Sequence, residues 1–134
     1  MKLLDYDLSQ YPIIIGRSNP IAANAINSKE NIVELELQLN NIKGEKAIMI
    51  FDLTHAKYMS SEIRIQYGNW IKHAESLFKD KLICIILVNK SSIMNMVVKG
   101  IMLIKKLPIP MHMVSTLEEG ITLANKSLQV SVLV

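Results

Sequence analysis

Side chains that could perform chemistry gather directly after the apolar run AIMIF at residues 47–51. They are Asp52, Thr54, His55, Ser60, Ser61 and Arg64. Asp52 and His55 could supply the base of a hydrolase, but an Asp at a strand end more often accepts hydrogen bonds from the amides of the following loop. Because the sequence has neither a nucleophile-elbow motif nor a pair of catalytic carboxylates, we predict a protein that is not an enzyme and uses no cofactor.

A second polar group, made of Asn89, Ser91 and Ser92, follows the apolar run ICIILV at residues 83–88. The carboxyl ends of parallel strands open on the same side of a sheet, so we expect this group near the first one. Helix starts at Ser60, Ser91 and Ser115 could together favour a phosphate or carboxylate. The alternative is that each serine caps only its own helix, and the absence of a Gly-rich phosphate loop favours that alternative.

The remaining metal-ligating and nucleophilic residues predict neither a metal site nor a reactive thiol. His55, His73 and His112 lie far apart, without the short spacings by which one element holds a metal. Cys84 is the only cysteine and lies inside an apolar run, where it is expected to pack as a small hydrophobe. A single cysteine excludes an internal disulfide, and a cytoplasmic protein is predicted.

Strand and helix patterns alternate along the chain, which is typical of an α/β sheet. Apolar runs and turn residues predict strands at 3–8, 11–15, 47–52, 82–88 and 112–114 and helices at 28–42, 61–78, 91–106 and 115–128. Residues 16–20 are predicted to form a loop. Either Ser115-x-x-Glu118 or Thr116-x-x-Glu119 forms a capping box for the last helix.

The segment 28–42 admits two interpretations. Apolar residues at 33, 35, 37 and 39 alternate as in a strand, whereas those at 32, 35, 39 and 42 have helical spacing. The segment is rich in Glu, Leu and Gln, and Asn27-Ser28 could cap a helix, so we predict a helix.

The stretch AIMIFDLTHAKYMSSEI resembles the phosphoswitch segment of the STAS superfamily, the anti-sigma-factor-antagonist type of domain. In that pattern a hydrophobic strand and Asp-Leu-Ser/Thr precede Asp-Ser-Ser-Gly-Leu at a helix start. Further along, ICIILV with Asn89, the Leu-Pro-Ile-Pro break and the closing STLEEGITLA look like the SpoIIAA-like branch, often labelled STAS/SEC14-like. The resemblance covers about residues 11–128. It implies a single domain over 1–134, with a mixed, mostly parallel sheet of four to five strands flanked by about four helices.

The resemblance implies a non-catalytic binding or regulatory domain that contacts a partner protein at the edge from Thr54 to Arg64. Ser61 takes the place of the phosphorylatable serine, and Ser60 takes the place of the preceding Asp. Glu62-Ile63-Arg64 replaces Ser-Gly-Leu, which removes what a dedicated kinase would recognise. The alternative is that Ser60 or Ser61 only caps the helix.

An apolar pocket is the second functional hypothesis, and the SEC14-like label is in line with it. Tyr67 and Trp70 lie in the helix predicted at 61–78, and Met94 and Met102 lie in the one at 91–106. Met lines adaptable apolar pockets, so the two helices could enclose a small apolar ligand or lipid. Met residues at these spacings also serve as core filler.

Charge and hydropathy argue against two classes of partner. The net charge is +3, but 15 basic and 12 acidic residues are interspersed and aromatic residues are few, so nucleic-acid binding is not predicted. The Met-rich run at 93–104 is interrupted by Lys99 and Gly100 and is shorter than the ~20 residues of a membrane span. Asp5 and Asp7 interrupt the apolar residues at the start, so no signal peptide is expected.

The end of the sequence, LQVSVLV at residues 128–134, is apolar to its last residue. The alternation in Gln129-Val130-Ser131-Val132 predicts a strand that pairs with a sheet edge, either in the same chain or in a second copy. We therefore expect a homodimer, joined either through this tail or through the apolar helices.

Overall fold

The computed structural model describes residues 2–91, 96, 99 and 108–133, with the backbone alone for 131–133. It is an α/β structure with one five-stranded mixed sheet, which confirms the predicted α/β class and the mostly parallel sheet. The strands are β1 (Leu4–Asp7), β2 (Ile13–Ser18), β3 (Ala47–Asp52), β4 (Leu82–Val88) and β5 (Met111–Val114). The helices are α1 (Ala25–Asn40), α2 (Ser61–His73), α3 (Glu75–Lys81) and α4 (Leu117–Leu133). The Met-rich helix predicted at 91–106 falls almost entirely outside the described residues.

The strands lie in the sheet in the order in which they occur along the chain. β1 and β2 form an antiparallel pair, and β2, β3, β4 and β5 run parallel to one another. β3 and β4 are apolar without alternation because both of their faces are covered. Ile48, Met49, Ile50 and Ile86 have less than 1% of their surface exposed.

Successive residues of these strands enter two separate cores, as the two-residue period of a strand requires. On one face, Met49 and Ile85 pack in a cluster with side chains of α1, α2 and α3. On the other face, Ile48 and Ile86 pack with Ala124 of α4. The sheet therefore lies between two helical layers.

The helical interpretation of residues 28–42 is correct, but the predicted cap is wrong. α1 begins at Ala25 because Asn24 is the N-cap. Its Oδ1 accepts hydrogen bonds from the amides of Ile26 and Asn27, and the Asn27 side chain accepts one from the Asn24 amide. Ser28, which sequence reasoning had assigned to the cap, lies within the helix and is fully buried.

The long helix predicted at 61–78 is divided into α2 and α3 at Ala74. Ser60 is the N-cap of α2, and its Oγ accepts a hydrogen bond from the Ile63 amide at 3.4 Å. Trp70 lies edge-to-face against Phe78 of α3, with ring centroids 5.2 Å apart. The Trp70 indole also donates a 2.6 Å hydrogen bond to Glu36, which joins α2 to α1.

Several boundaries differ from the sequence-based prediction, among them the end of β2 and the start of β5. β2 continues to Ser18 where a loop was predicted from Gly16 onward, because Gly16 lets the Tyr6 ring of β1 pack closely over the strand. A Cβ at Gly16 would lie 3.2 Å from Tyr6 Cε1. β5 begins at Met111, one residue before the predicted start.

The strand predicted at 129–132 is wrong, since α4 continues through Leu133. Thr116 provides the cap, and its Oγ1 accepts a hydrogen bond from the Glu119 amide at 3.1 Å. Neither Gly nor Pro follows Gly120 in the chain, so no residue breaks the helix before its end. Val130 is 60% exposed on this helix. The tail is therefore helical through Leu133 and does not pair as a strand with the edge of the sheet.

A pair of leucines on α1 tests the helical packing directly. Leu39 is fully buried, whereas Leu37 is 57% exposed on the same helix. We expect Leu39→Ala to lower the free energy of unfolding by about 2 to 5 kcal/mol, and Leu37→Ala to change it by less than about 0.5 kcal/mol. Urea denaturation measures both. Equal losses would contradict the helix, because a strand would place both leucines on one face.

Candidate functional site

The ends of β3, β4 and β5 lie together at one edge of the sheet, where the two polar groups were expected to meet. Asp52 pairs in register with Val88. The residues that follow them, Leu53 and Asn89, therefore lie side by side. The Leu53 amide donates to the Val88 carbonyl at 2.9 Å, and the Asn89 amide donates to the Val114 carbonyl at 3.0 Å. These bonds continue the sheet by one residue and fix where the loops leave it.

Asp52 begins the loop of residues 53–59 and stabilises its first turn. Its Oδ1 accepts hydrogen bonds from both the amide and the hydroxyl of Thr54. The His55 amide donates to the Ser18 hydroxyl at 3.1 Å, which ties the loop to the end of β2, while the residue itself is exposed. The contacts of Asp52 are thus those of a turn-forming residue.

Asn89 and Ser91 form a similar turn after β4. The Ser91 amide donates to Asn89 Oδ1 at 2.8 Å, and Asn89 Nδ2 donates to the Ser91 carbonyl at 3.1 Å. Asn89 is buried. Ser92, the third member of this predicted group, lies outside the described residues.

A polar cluster occupies the outer side of the start of α2, and we call Tyr58, Ser61 and Arg64 the Arg64 cluster. Arg64 Nη2 donates to the Ser61 hydroxyl at 3.0 Å and to the Tyr58 hydroxyl at 3.4 Å. The guanidinium carbon lies 5.6 Å from the centre of the Tyr58 ring, and Tyr58 is 59% exposed. Because Ser60 provides the cap, the exposed Ser61 hydroxyl is left at the first helical position, where the helix dipole favours negative charge.

An apolar cavity of about 170 Å³ lies on the inner side of the same loop, between the sheet and helices α1 and α2. Its wall is made largely of aliphatic and aromatic side chains, among them Leu35, Phe51, Leu53, Met59, Ile71 and Phe78. Of the pocket residues predicted from the sequence, Tyr67 and Trp70 line this cavity. Met94 and Met102 lie outside the described residues, and the described wall opposite α2 belongs to α1 and the sheet.

Buried polar groups interrupt this apolar wall near α1. Asn31, which is 8% exposed, lines the cavity and donates from Nδ2 to the Tyr67 hydroxyl at 2.8 Å. Its Oδ1 is buried and has no hydrogen-bond partner among the described residues, and the same is true of the Tyr6 and Ser28 hydroxyls. An unpaired buried polar atom costs about 1 to 3 kcal/mol, so such atoms require an explanation.

Burial governs the ionisation of both tyrosines. Desolvation raises the pKa of Tyr67, and the hydrogen bond from Asn31 and the nearby Ser28 hydroxyl oppose that rise only in part. Desolvation also raises the pKa of Tyr6 well above its usual range, and the negative charge of Glu34 adds to the effect. Both phenols are therefore neutral at physiological pH.

Sequence reasoning missed Asn31, although a signal was present. The buried stripe of α1 comprises Ser28, Asn31, Leu35 and Leu39, which recur at intervals of three and four residues. Extending the Leu35 and Leu39 stripe toward the N-terminus would have placed Asn31 and Ser28 on the buried face. The predicted start of the helix at residue 28 concealed this extension.

The other chemically capable groups are placed as follows. Cys84 is buried in β4; desolvation raises the pKa of its thiol, and the Ser127 hydroxyl lowers it less. Among the described residues, no three His, Cys, Asp or Glu side chains are arranged to hold a metal ion. Within the same part of the chain, no helix combines the length and apolar content needed to cross a bilayer.

Comparisons of the chain with protein-family models, with curated proteins and with solved structures gave no match. The geometry of the cavity and of the Arg64 cluster is therefore the basis for a functional assignment.

Tyr6 provides a test of the buried polar groups. Tyr6→Phe removes a buried hydroxyl that lacks a partner, so we expect it to raise the free energy of unfolding by about 1 kcal/mol. The pKa of Tyr6 is raised in the folded state, so stability is complete below the unfolded pKa of about 10 and decreases as the pH rises above it. We expect Tyr6→Phe to make that decrease shallower.

Urea denaturation between about pH 8 and 11 measures both effects. Tyr11→Phe is the matched control because Tyr11 is 46% exposed, and it should leave the stability and its pH dependence as in the unmodified protein. A loss of stability in Tyr6→Phe would show that the hydroxyl has a partner.

Proposed function

We propose that this protein is a non-catalytic binding domain whose ligand is a small apolar molecule held in the cavity beneath the loop of residues 53–59. The observation that carries the proposal is the cavity itself, with its volume of about 170 Å³ and its aliphatic and aromatic wall. Ligand sites are typically concave, mostly apolar and equipped with a few polar groups. Asn31 and Tyr67 provide such groups here.

The apolar wall favours an apolar ligand, because removal of apolar surface from water contributes about 25 cal/mol per Å².

The volume limits the ligand to a molecule of modest size. A cavity of about 150 Å³ lined by Leu, Ile and Phe is sufficient for benzene. The cavity here is slightly larger, so its ligand has roughly six to ten non-hydrogen atoms by that comparison. A whole long-chain lipid is too large for the described cavity, and the proposal is therefore narrower than a lipid carrier.

Two neighbouring alanines allow a matched test. Ala23 lines the cavity, whereas Ala22 is exposed and does not line it. We expect saturating toluene or phenol to raise the Tm of the unmodified protein by roughly 5 °C or more. Ala23→Leu fills part of the space and should abolish that rise, while Ala22→Leu should retain it.

Differential scanning fluorimetry measures these shifts, and native mass spectrometry of the purified protein shows whether a molecule is retained. The proposal fails if neither toluene nor phenol changes the Tm and no bound molecule is detected. It also fails if Ala23→Leu responds to both probes as Ala22→Leu does.

A second candidate function is recognition of a partner protein, or of a second copy of this chain, at the edge from Thr54 to Arg64. The Arg64 cluster favours it, because exposed Tyr and Arg side chains are common anchors of protein interfaces. The residues around Ser61 follow a STAS-like order, which supports regulation at the same edge by a change of charge on Ser61. A phosphoryl group on Ser61 would lie at a helix N-terminus and beside the Arg64 guanidinium.

Charge substitutions at Ser61 test this second candidate. We expect Ser61→Asp to raise the free energy of unfolding by about 0.3 to 1 kcal/mol through the helix dipole and Arg64, and to raise it less when Arg64→Gln is also present. Urea denaturation measures this step. Pull-downs from native cell extract should then differ between Ser61→Asp and Ser61→Ala, and identical results for the two variants would contradict the switch.

A further inference from the structure

We infer that the ligand of the cavity carries one neutral hydrogen-bonding group, such as a hydroxyl, that pairs with the Asn31 side chain while the rest of the molecule fills the apolar space. The inference rests on the proposed function and specifies the class of its ligand: a small phenol, alcohol or comparable amphiphile rather than a hydrocarbon.

Asn31 occupies a position in the wall of the cavity. It lies on the buried stripe of α1, one turn before Leu35, and both residues line the cavity. An apolar residue at this position would continue the wall without interruption. An amide that is 8% exposed is instead placed among the largely apolar side chains of the wall, which is unfavourable unless its polar atoms are paired.

The hydrogen bonding of the Asn31 amide is incomplete. Asn31 Nδ2 donates to the Tyr67 hydroxyl at 2.8 Å, and Asn31 Oδ1 is left without a partner among the described residues. Rotation of the amide about its Cβ–Cγ bond exchanges the positions of Oδ1 and Nδ2, and Nδ2 is then the atom without a partner. A ligand hydroxyl can donate or accept, so it satisfies the amide in either orientation.

The charges of the side chains that line the cavity limit the charge of the ligand. Among the cavity-lining residues that the structure describes, Lys57 is the only charged one, and it is exposed on the loop. Asn31 and its partner Tyr67 are both neutral, and burial keeps the pKa of Tyr67 raised. A charged group beside Asn31 would be desolvated without a counter-ion, so the hydrogen-bonding group of the ligand is neutral.

Toluene and phenol distinguish the alternatives because both have seven non-hydrogen atoms and differ in one methyl or hydroxyl group. A purely apolar cavity favours toluene, since phenol must give up its hydrogen bonds to water. We expect the unmodified protein to bind phenol at least as tightly as toluene. Asn31→Leu should shift the ratio of the two Kd values about tenfold toward toluene.

Isothermal titration calorimetry of the full chain measures the four Kd values. Asn40→Leu is the control, because it makes the same exchange on the same helix at an exposed position that does not line the cavity, and it should leave the ratio unchanged. Should Asn31→Leu fail to fold, titration of the unmodified protein provides a second measurement. The Asn31 side-chain amide signals should then shift more with phenol than with toluene in ¹⁵N-resolved NMR spectra.

The outcomes separate the two proposals. Binding of toluene without phenol, or the same Kd ratio in Asn31→Leu as in the unmodified protein, overturns the inference and leaves the apolar cavity as the site. Absence of binding by both probes overturns the proposed function itself. Amide signals of Asn31 that respond equally to both probes also overturn the inference.

Discussion

Burial of both faces of β3 and β4 is the constraint on which the rest of the structure depends. Neither strand has a polar face that could meet water, so helices must cover the sheet on both sides. Strands that run parallel also end at the same edge, which brings the turns after Asp52 and Val88 together. The loop of residues 53–59 must then pass from that edge to the start of α2, and the Leu53 and His55 amides fix its course.

The two helical layers satisfy this constraint differently. α4 approaches the sheet through small residues: Ala124 is fully buried, and a Cβ on Gly120 would lie 3.4 Å from Val88 Cγ2. On the opposite face, α1 and α2 present large side chains such as Trp70 and Tyr67, which leave a cavity over the strands. The loop of residues 53–59 contributes Leu53, Ala56, Lys57 and Met59 to the wall of this cavity and also carries Tyr58 of the Arg64 cluster. One short segment thus borders both candidate sites.

Much of the fold could be predicted from local pattern because strongly apolar strands leave few alternatives. The limits of β3 and β4 were predicted to the residue, and the start of α2 was fixed by its serine cap. One error arose where a tertiary contact overrode a local signal, since Gly16 suggested a loop but serves to admit the Tyr6 ring into a strand pair. A second error was local: the alternating tail at 129–132 suggested a strand, but no Gly or Pro ends α4 before Leu133.

For the candidate sites, local pattern was enough to predict which polar residues follow the strands and that Tyr67 and Trp70 share a helix. The contacts of those residues became known only from the folded chain. Asp52 forms a turn with Thr54, and Asn31 pairs with Tyr67 across 36 positions of the chain. The physical reason is that periodicity specifies which face of an element is buried, whereas a cavity depends on how large side chains from distant elements fit over one another.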